Sequence, residues 1–355
     1  MNHADADRLR LPVNAADPTT AGSRELPAKT SNTWPIFLAS VWKLARQKYY
    51  WSPSRFFRIV WNMARSIPTQ IRVNRVLARP VYRQLAKVNP RFPFKYSGLN
   101  YLARGLTINQ QAECFLHHYR RLPNLLPEEV LAQILLEDLL LDEIREGDDC
   151  FTVRMGLSRP YDDAGELSLN FGVNGKVVFI LSFTIVPGWI VQSEAQEVFL
   201  VSRLQGVKGC YDEIQRATKT LYHLAPPALL FAALCGVAEA FEIKAMAGIT
   251  GTMRPEFYFN EEGAVHIQQA YDGFFRELGA TKGRANFYLG PMPALEKHVA
   301  SIEQGHKKGR KGVRTRKKRA TKLDIARRIY LFLSEAIERG STGKVEQPCS
   351  IGKEP

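Results

Sequence analysis

The sequence predicts an α+β, mixed α/β fold: a mixed sheet flanked by helices and preceded by a basic helical segment. Three observations predict it. The stretch "GELSLNFGVNGKVVFILSFTIV" (Gly165–Val186) alternates like a strand on each side of Asn174-Gly175. Those two residues supply the positive φ angles of a type I′ hairpin turn. Next, "EVFLVSRLQGVKGCYDEIQRATKTLYH" (Glu197–His223) starts as an apolar strand, breaks at Gly206 and Gly209, and continues as a helix. Beyond it the periodicity reads helix, strand, helix, strand. An antiparallel meander therefore leads into a βαβ crossover, which places helices on both sides of a mixed sheet.

The elements follow in order. Residues 1–32 are polar and rich in Pro, Ala and Thr, a composition too poor in apolar residues to fold. Residues 33–125 read as helical pieces separated by Pro53, Pro68, Pro80, Pro90 and Pro93, and they hold four of the five tryptophans, Trp34, Trp42, Trp51 and Trp61. "LPEEVLAQILLEDLLLDEI" (Leu126–Ile144) reads as one acidic amphipathic helix. "CFTVRMGL" is a strand, and the hairpin and "EVFLVSRLQ" follow it. From Tyr211 to about Phe241 two helices are expected, divided at Pro226-Pro227. "IKAMAGIT" is a short strand, "HIQQAYDGFFRELGA" a helix stopped by Gly279, and "ANFYLGP" a last strand. A closing helix is basic first and apolar later. The expected organisation is a tail at 1–32, a basic aromatic-rich helical segment at 33–125, a mixed α/β core domain at 126–300, a basic helix at 301–340 and a tail at 341–355.

Charge is unevenly spread. The formal net charge is +14, yet Leu26–Ala112 carries fifteen Lys or Arg and no acid, and Lys307–Arg328 carries twelve against Asp324 alone. The remainder is left near −12, an acidic body with two basic arms. Such arms suit an anionic membrane surface or nucleic acid. In "YYWSPSRFFRIVWNMAR" aromatics alternate with cations, as on a membrane-surface helix. The candidates for lipid or polyanion contact are Trp42, Lys43, Arg46, Trp51, Arg55, Arg58 and Trp61, with Lys317, Lys318 and Arg319 in the second arm. The other reading is that the aromatics pack on the main domain and the charges face water or pair with the acidic body. The second arm lacks interleaved aromatics, so base stacking is not suggested. The five cysteines are odd in number and form no C-x-x-C, which fits a reducing compartment and neither a disulfide framework nor a zinc site. The N-terminal residues show no secretory pattern. Two apolar stretches, "VVFILSFTIVPGWIVQS" of 17 residues and "LAPPALLFAALCGVA" of 15, fall short of the ~20 needed to span a bilayer. They read as a buried strand and a buried helix. A cytoplasmic protein, peripheral at the inner membrane, is expected.

Six separated motifs occur in the order of a known family: "HHYRRL" (His117–Leu122), "GELSLNF" (Gly165–Phe171), "LQGVKG" (Leu204–Gly209), "ATKTLYHLAPPALL" (Ala217–Leu230), "YDGFFRELG" (Tyr271–Gly279) and the closing Lys/Arg-rich helix. The sequence resembles the VirK/YbjX family of Gram-negative bacteria over roughly residues 50–335. The resemblance implies a non-secreted, envelope-associated accessory protein with a virulence-related role. It brings no catalytic residues. The sequence departs from that family's Gly-x-Arg-Pro at His223–Pro227.

The strand order, and "YDGFFRELGA" followed by a strand, also resemble the acyl-coenzyme A N-acyltransferase (GNAT) fold. That resemblance implies an acyl-coenzyme A-type donor whose pyrophosphate rests on backbone N–H groups where a glycine turn opens a helix. The matching residues are Arg203, Gln205, Gly206, Val207, Lys208 and Gly209. Their spacing is one residue longer than the motif, Lys208 replaces a small residue, and Asp212 and Glu213 in the first helical turn repel a pyrophosphate. Phe275 stands where the fold's frequent tyrosine acid is placed, with Tyr271 one turn earlier. Thr250, Thr252 and Arg254 follow a strand end, where α/β sheets place ligands, and with Tyr271 they form a candidate pocket. Cys210 beside a helix start reads as buried and structural, and His117-His118 lacks the further ligands a metal needs. No metal is expected. The residues alone leave the enzyme question, the cofactor and the oligomeric state open. An RNA-binding regulator working through the basic arms stands beside the membrane and acyltransferase readings.

Overall fold

The computed structural model describes residues 38, 41, 42 and 45, and then 53–65, 67–98, 101–158, 164–254, 261–292 and 310–342. Prolines punctuate the first helices as expected. Pro53 opens α1 (Pro53–Arg65), Pro68 lies in the first turn of α2 (Ile67–Val76), and Pro80 opens α3 (Pro80–Val88). At a helix start the missing N–H has no partner to lose, so Pro is tolerated there. A 3-10 turn at Phe92–Ser97 leads to α4 (Ile108–Leu125). Thr107 and Gln110 open α4 with a reciprocal capping box. The aromatics of this segment divide into two groups. Tyr82, Phe92, Phe115 and Tyr119 are buried and stack edge to face or tilted, with centroids 4.7–6.4 Å apart for the pairs in contact. Trp42, Phe57 and Trp61 are exposed.

The single helix expected over Leu126–Ile144 is two elements: α5 (Glu128–Leu136) and β1 (Leu139–Glu146). An apolar run of this length fits either period, and the partner strand decides. The chain reverses at Asp138, with φ of 65°, and β1 pairs antiparallel with β2 (Asp149–Leu157). Gly156 makes room for that reversal, since a Cβ there would lie 1.6 Å from Asp138 Oδ1.

The hairpin of β3 (Leu167–Val173) and β4 (Lys176–Pro187) is present, with Asn174 and Gly175 at φ of 49° and 82°. β5 (Glu197–Gly206) pairs antiparallel with β4 and parallel with β6 (Ala245–Ile249). Between β5 and β6 come α6 (Tyr211–Thr220) and α7 (Pro226–Ala240), divided at the Pro pair as expected. After β6 come α8 (Glu261–Glu277), β7 (Thr281–Lys282) and β8 (Phe287–Pro291), and β7 is a strand the periodicity did not reveal. The eight strands form one mixed sheet in the order β1-β2-β3-β4-β5-β6-β8-β7, flanked by helices.

The closing helix α9 (Arg310–Thr342) buries Ile325, Ile329 and Leu333 and packs along α7. Gly236 permits that approach: a Cβ there would sit 2.3 Å from the Ala326 carbonyl oxygen. Arg328 fixes the helix to β1 through two bonds to the buried Asp142 carboxylate, at 2.9 and 2.8 Å. Covered by the sheet on one side and α9 on the other, α7 is apolar nearly all round. The two long apolar stretches are thus β4 and α7, and among the described residues no helix is long and apolar enough to cross a membrane.

Candidate functional site

The parallel strands β5 and β6 pair only from Phe199 to Val201 and from Met246 to Gly248. Beyond that point β6 ends at Ile249, while β5 runs on beside β4 to Gly206. A bulge at Ser202, where Phe183 faces Val201 and Ser182 faces Arg203, bends β5 at the parting. The result is a fork. On its open side the Ser202 carbonyl and the Leu204 N–H have lost their strand neighbour, and buried backbone groups need partners. Side chains supply them. Arg254 Nη1 donates to Ser202 O at 3.2 Å, and the Tyr271 hydroxyl accepts from Leu204 N at 3.0 Å. The Arg254 guanidinium, itself buried, lies over the Tyr271 ring at 5.6 Å. The Thr250 and Thr252 hydroxyls are 3.0 Å apart, and Asp272 Oδ1 takes the Gly251 N–H at 3.0 Å. Thr250, Thr252, Arg254 and Tyr271 therefore come together, at the mouth of the fork.

The glycine turn leaves β5 at the same end. Arg203 Nε donates to Gln205 Oε1 at 3.1 Å. Cys210 N–H closes the turn on Val207 O at 3.2 Å, and Gly209 takes the left-handed conformation with φ of 79°. Cys210 is buried, its Sγ 3.9 Å from Val177 O. At the start of α6 the Glu213 carboxyl is held below the usual carboxylate range, first by Lys176 at 2.6 Å and then by its own backbone N–H. A protein carboxylate is thus already seated where the turn opens the helix, and Asp212 stands beside it.

A second group of polar residues went unnoticed in the sequence. The segment Ala164–Glu166 crosses β4, and Gly165 is required there because a Cβ would meet Ser182 Cβ at 2.8 Å. Its carbonyls are taken by Ser202 Oγ, which binds Ala164 O, and by Lys95 Nζ, which binds Gly165 O. Glu166 and Lys95 form an ion pair at 3.4 Å, with side chains 0% and 5% exposed. Tyr119 donates its hydroxyl to the same Glu166 oxygen. Burial, and then the Glu166 charge, push the Tyr101 and Tyr119 hydroxyls well above their ordinary pKa. His118 Nδ1 accepts the Ile185 N–H at 3.1 Å, which assigns the ring proton to Nε2. Burial, followed by the Lys95 and His117 charges, keeps that imidazole well below its ordinary pKa. Its neighbour His117 pairs instead with Glu197 at 3.1 Å, so the two histidines have separate duties. Among the described residues no His/Cys/Asp/Glu group is arranged to hold a metal. One signal for this cluster was readable: Lys95 lies between Phe94 and Tyr96, where a solvated cation is out of place.

The family described as "Protein of unknown function (DUF535)" matches residues 48–318. The chain belongs to that family. No curated protein and no solved structure matches it. In this DUF535 protein the fork, the glycine turn and the Lys95–Glu166 cluster all lie inside the matched residues, whereas Trp42 and the Arg328 clamp lie outside them.

The basic arms of this DUF535 protein are only partly described. Lys43, Arg46 and Trp51 lie outside the described residues, as do the side chains of Arg55 and Arg58. Trp42 and Trp61 are 62% and 63% exposed, while Ile59 on α1 is buried. In α9, Lys317 extends over the Tyr222 ring at 5.1 Å, and Lys318 and Arg319 are half-buried. Several cations of the arms pair with the acidic body: Arg72 with Glu113, Lys95 with Glu166, and Arg328 with Asp142.

Proposed function

We propose that this DUF535 protein binds an acyl thioester in the fork between β5 and β6 and acts as a GNAT-like acyltransferase. The observation that supports the reading is the parting of β5 from β6 after Val201, which offers the Leu204 N–H to a ligand carbonyl. A thioester carbonyl taking that N–H displaces the Tyr271 hydroxyl and enters a site that already holds a buried cation, Arg254. Polarisation of a carbonyl by a fixed N–H is how a protein stabilises the charge that builds on oxygen during acyl transfer. Isothermal calorimetry with acetyl- and longer acyl-coenzyme A tests this on the full chain. Binding of at least one chain length is expected, and no binding at any length refutes the reading.

A second reading concerns location, and the exposed aromatics of the first arm favour it. Trp42, Phe57 and Trp61 present large apolar surface to solvent on an acid-free segment. Aromatic rings suit the headgroup level, and cations near anionic lipid contribute about 1 kcal/mol each. On this reading the protein is peripheral at the inner membrane and serves the cell envelope, in keeping with its resemblance to VirK/YbjX. Flotation with anionic vesicles at moderate salt tests it, and a protein left at the bottom of the gradient sinks it.

A further inference from the structure

We propose that the core of this protein binds one ordered water molecule between Tyr101, His118 and Glu166, and that this water anchors the segment that holds the lip of the fork. The site lies outside the acyl-thioester reading and does not depend on it. Its basis is three buried polar atoms that make no directed hydrogen bond among the described residues: Tyr101 Oη, His118 Nε2 and Glu166 Oε1. All three residues are fully enclosed, and buried polar groups need partners. One strand end brings them together. β3 stops at Leu167, opposite Phe183, so β4 runs on without a neighbour on that side. Glu166 and His118 cover the freed backbone. The Glu166 N–H donates to Phe183 O at 3.3 Å and to Thr184 Oγ1 at 3.0 Å, and His118 Nδ1 accepts the Ile185 N–H at 3.1 Å. The Tyr119 ring stands 5.0 Å from the His118 ring, and its hydroxyl donates to Glu166 Oε2. Lys95 pairs with that same oxygen at 3.4 Å, which leaves Oε1 to another donor. Burial, and then the charge of the nearby Glu166, raise the Tyr101 hydroxyl pKa, so these two side chains lie together as well.

The donor and acceptor set matches water. The Ile185 N–H fixes the His118 proton on Nε2, so His118 and the Tyr101 hydroxyl both donate, while Glu166 Oε1 accepts. A water accepts from the two donors and donates to the carboxylate, and about three hydrogen bonds are what a buried water makes. An anion is opposed by the Glu166 charge, and a cation by Lys95 and the two donors. The water also has a mechanical consequence. Beyond Tyr101 the chain turns at Leu102, held at φ of 63°, and the Arg104 N–H donates to Met253 O at 3.0 Å, one residue before Arg254. Tying the Tyr101 hydroxyl to Glu166 through water fixes this short segment, and with it the turn that carries Arg254 into the fork.

A crystal structure of the full chain, at a resolution that shows ordered water, tests the site. A density peak about 2.7–3.2 Å from each of Tyr101 Oη, His118 Nε2 and Glu166 Oε1 is expected. The peak should be weakened or lost in Tyr101→Phe. Side chains that bond one another directly, with Tyr101 Oη on Glu166 Oε1 and no peak between them, overturn the site. The wild-type density decides this even where Tyr101→Phe does not fold. Amide hydrogen exchange on the full chain reads the anchoring role. The Arg104 N–H should exchange about tenfold faster in Tyr101→Phe than in wild type, the factor expected for one buried hydrogen bond, while amides of α7 keep their rates. An unchanged rate at Arg104 overturns the anchoring role, and so does an equal acceleration in α7, which marks general destabilisation. Neither measurement involves a thioester, so their outcome is independent of the acyl-coenzyme A titration.

Discussion

Replacing Glu166 with glutamine should be among the most damaging single changes in this molecule. The carboxylate is fully buried, and it holds the Lys95 ammonium at 3.4 Å together with the Tyr119 hydroxyl. Glu166→Gln keeps the shape and removes the charge, so the Lys95 ammonium stays buried with only the Gly165 carbonyl and a neutral amide as partners. Breaking a buried ion pair from one side costs about 3–5 kcal/mol, because the surviving charge is uncompensated. For a domain of this size each kcal/mol moves the melting temperature by about 2–4 °C, so a fall of about 6–20 °C is expected. Lys95→Met is expected to cost a similar amount from the other side. The double variant Lys95→Met/Glu166→Gln leaves neither charge, and so should be no worse than the poorer single variant. Urea unfolding followed by far-UV circular dichroism gives each value by linear extrapolation. Single variants that each cost less than about 1 kcal/mol, or a double variant equal to the sum of the two, would refute the ion-pair reasoning.

Other changes test other contacts. Arg328→Ala should cost about 2–3 kcal/mol by leaving the Asp142 carboxylate buried without its cation, and limited proteolysis should then release α9. Gly236→Val should cost about 1–3 kcal/mol by forcing α9 off α7, read as a lower urea midpoint. His118 is neutral in the fold and has a depressed pKa, so the unfolded chain takes up its proton first on acidification. Its contribution is therefore full above about pH 6.5 and is lost below, by up to about 1.4 kcal/mol per pH unit. Urea unfolding between pH 5 and 8 should show that slope, and His118→Gln should lack it. Glu197, whose pKa is lowered chiefly by His117, contributes above about pH 4.5 and loses that contribution as pH falls through its folded value, a separate window. Tyr271→Phe should cost about 1–3 kcal/mol in unfolding measurements by stranding the Leu204 N–H, and an acyl thioester that takes this N–H should restore the loss.

What the sequence disclosed and what it hid follow from the range of the interactions. The hairpin turn at Asn174-Gly175, the glycine break after β5 and the proline-divided helices are decided within a few residues, and they could be read. The sequence misassigned β1 as helix because Leu139–Leu141 is apolar at every position and its partner β2 lies beyond the turn at Gly147-Asp148. The four candidate pocket residues were singled out by a strand end and a helix turn, both local signs, and the structure places them near one another. The Lys95–Glu166 cluster was not, since the contact of Lys95 with Gly165 spans seventy residues. Lys95 also sits in a segment whose charge pattern suggests a solvated or lipid-facing arm, and that average conceals one cation turned inward.

The fork and the buried ion pair are parts of one construction. Ser202 connects them: its carbonyl receives Arg254 and its hydroxyl binds Ala164, one residue from the carbonyl that Lys95 holds. The bulge at Ser202 makes both bonds available at once, since it turns the strand just where β6 departs. Cations therefore act on both sides of the bulge, Lys95 behind the crossing segment and Arg254 within the fork. Lys95 has the Glu166 carboxylate at 3.4 Å, while Arg254 donates to the Ser202 carbonyl and lies over the Tyr271 ring. A change at Ser202 therefore disturbs both cations at once, Arg254 directly and Lys95 through the Ala164–Gly165 segment.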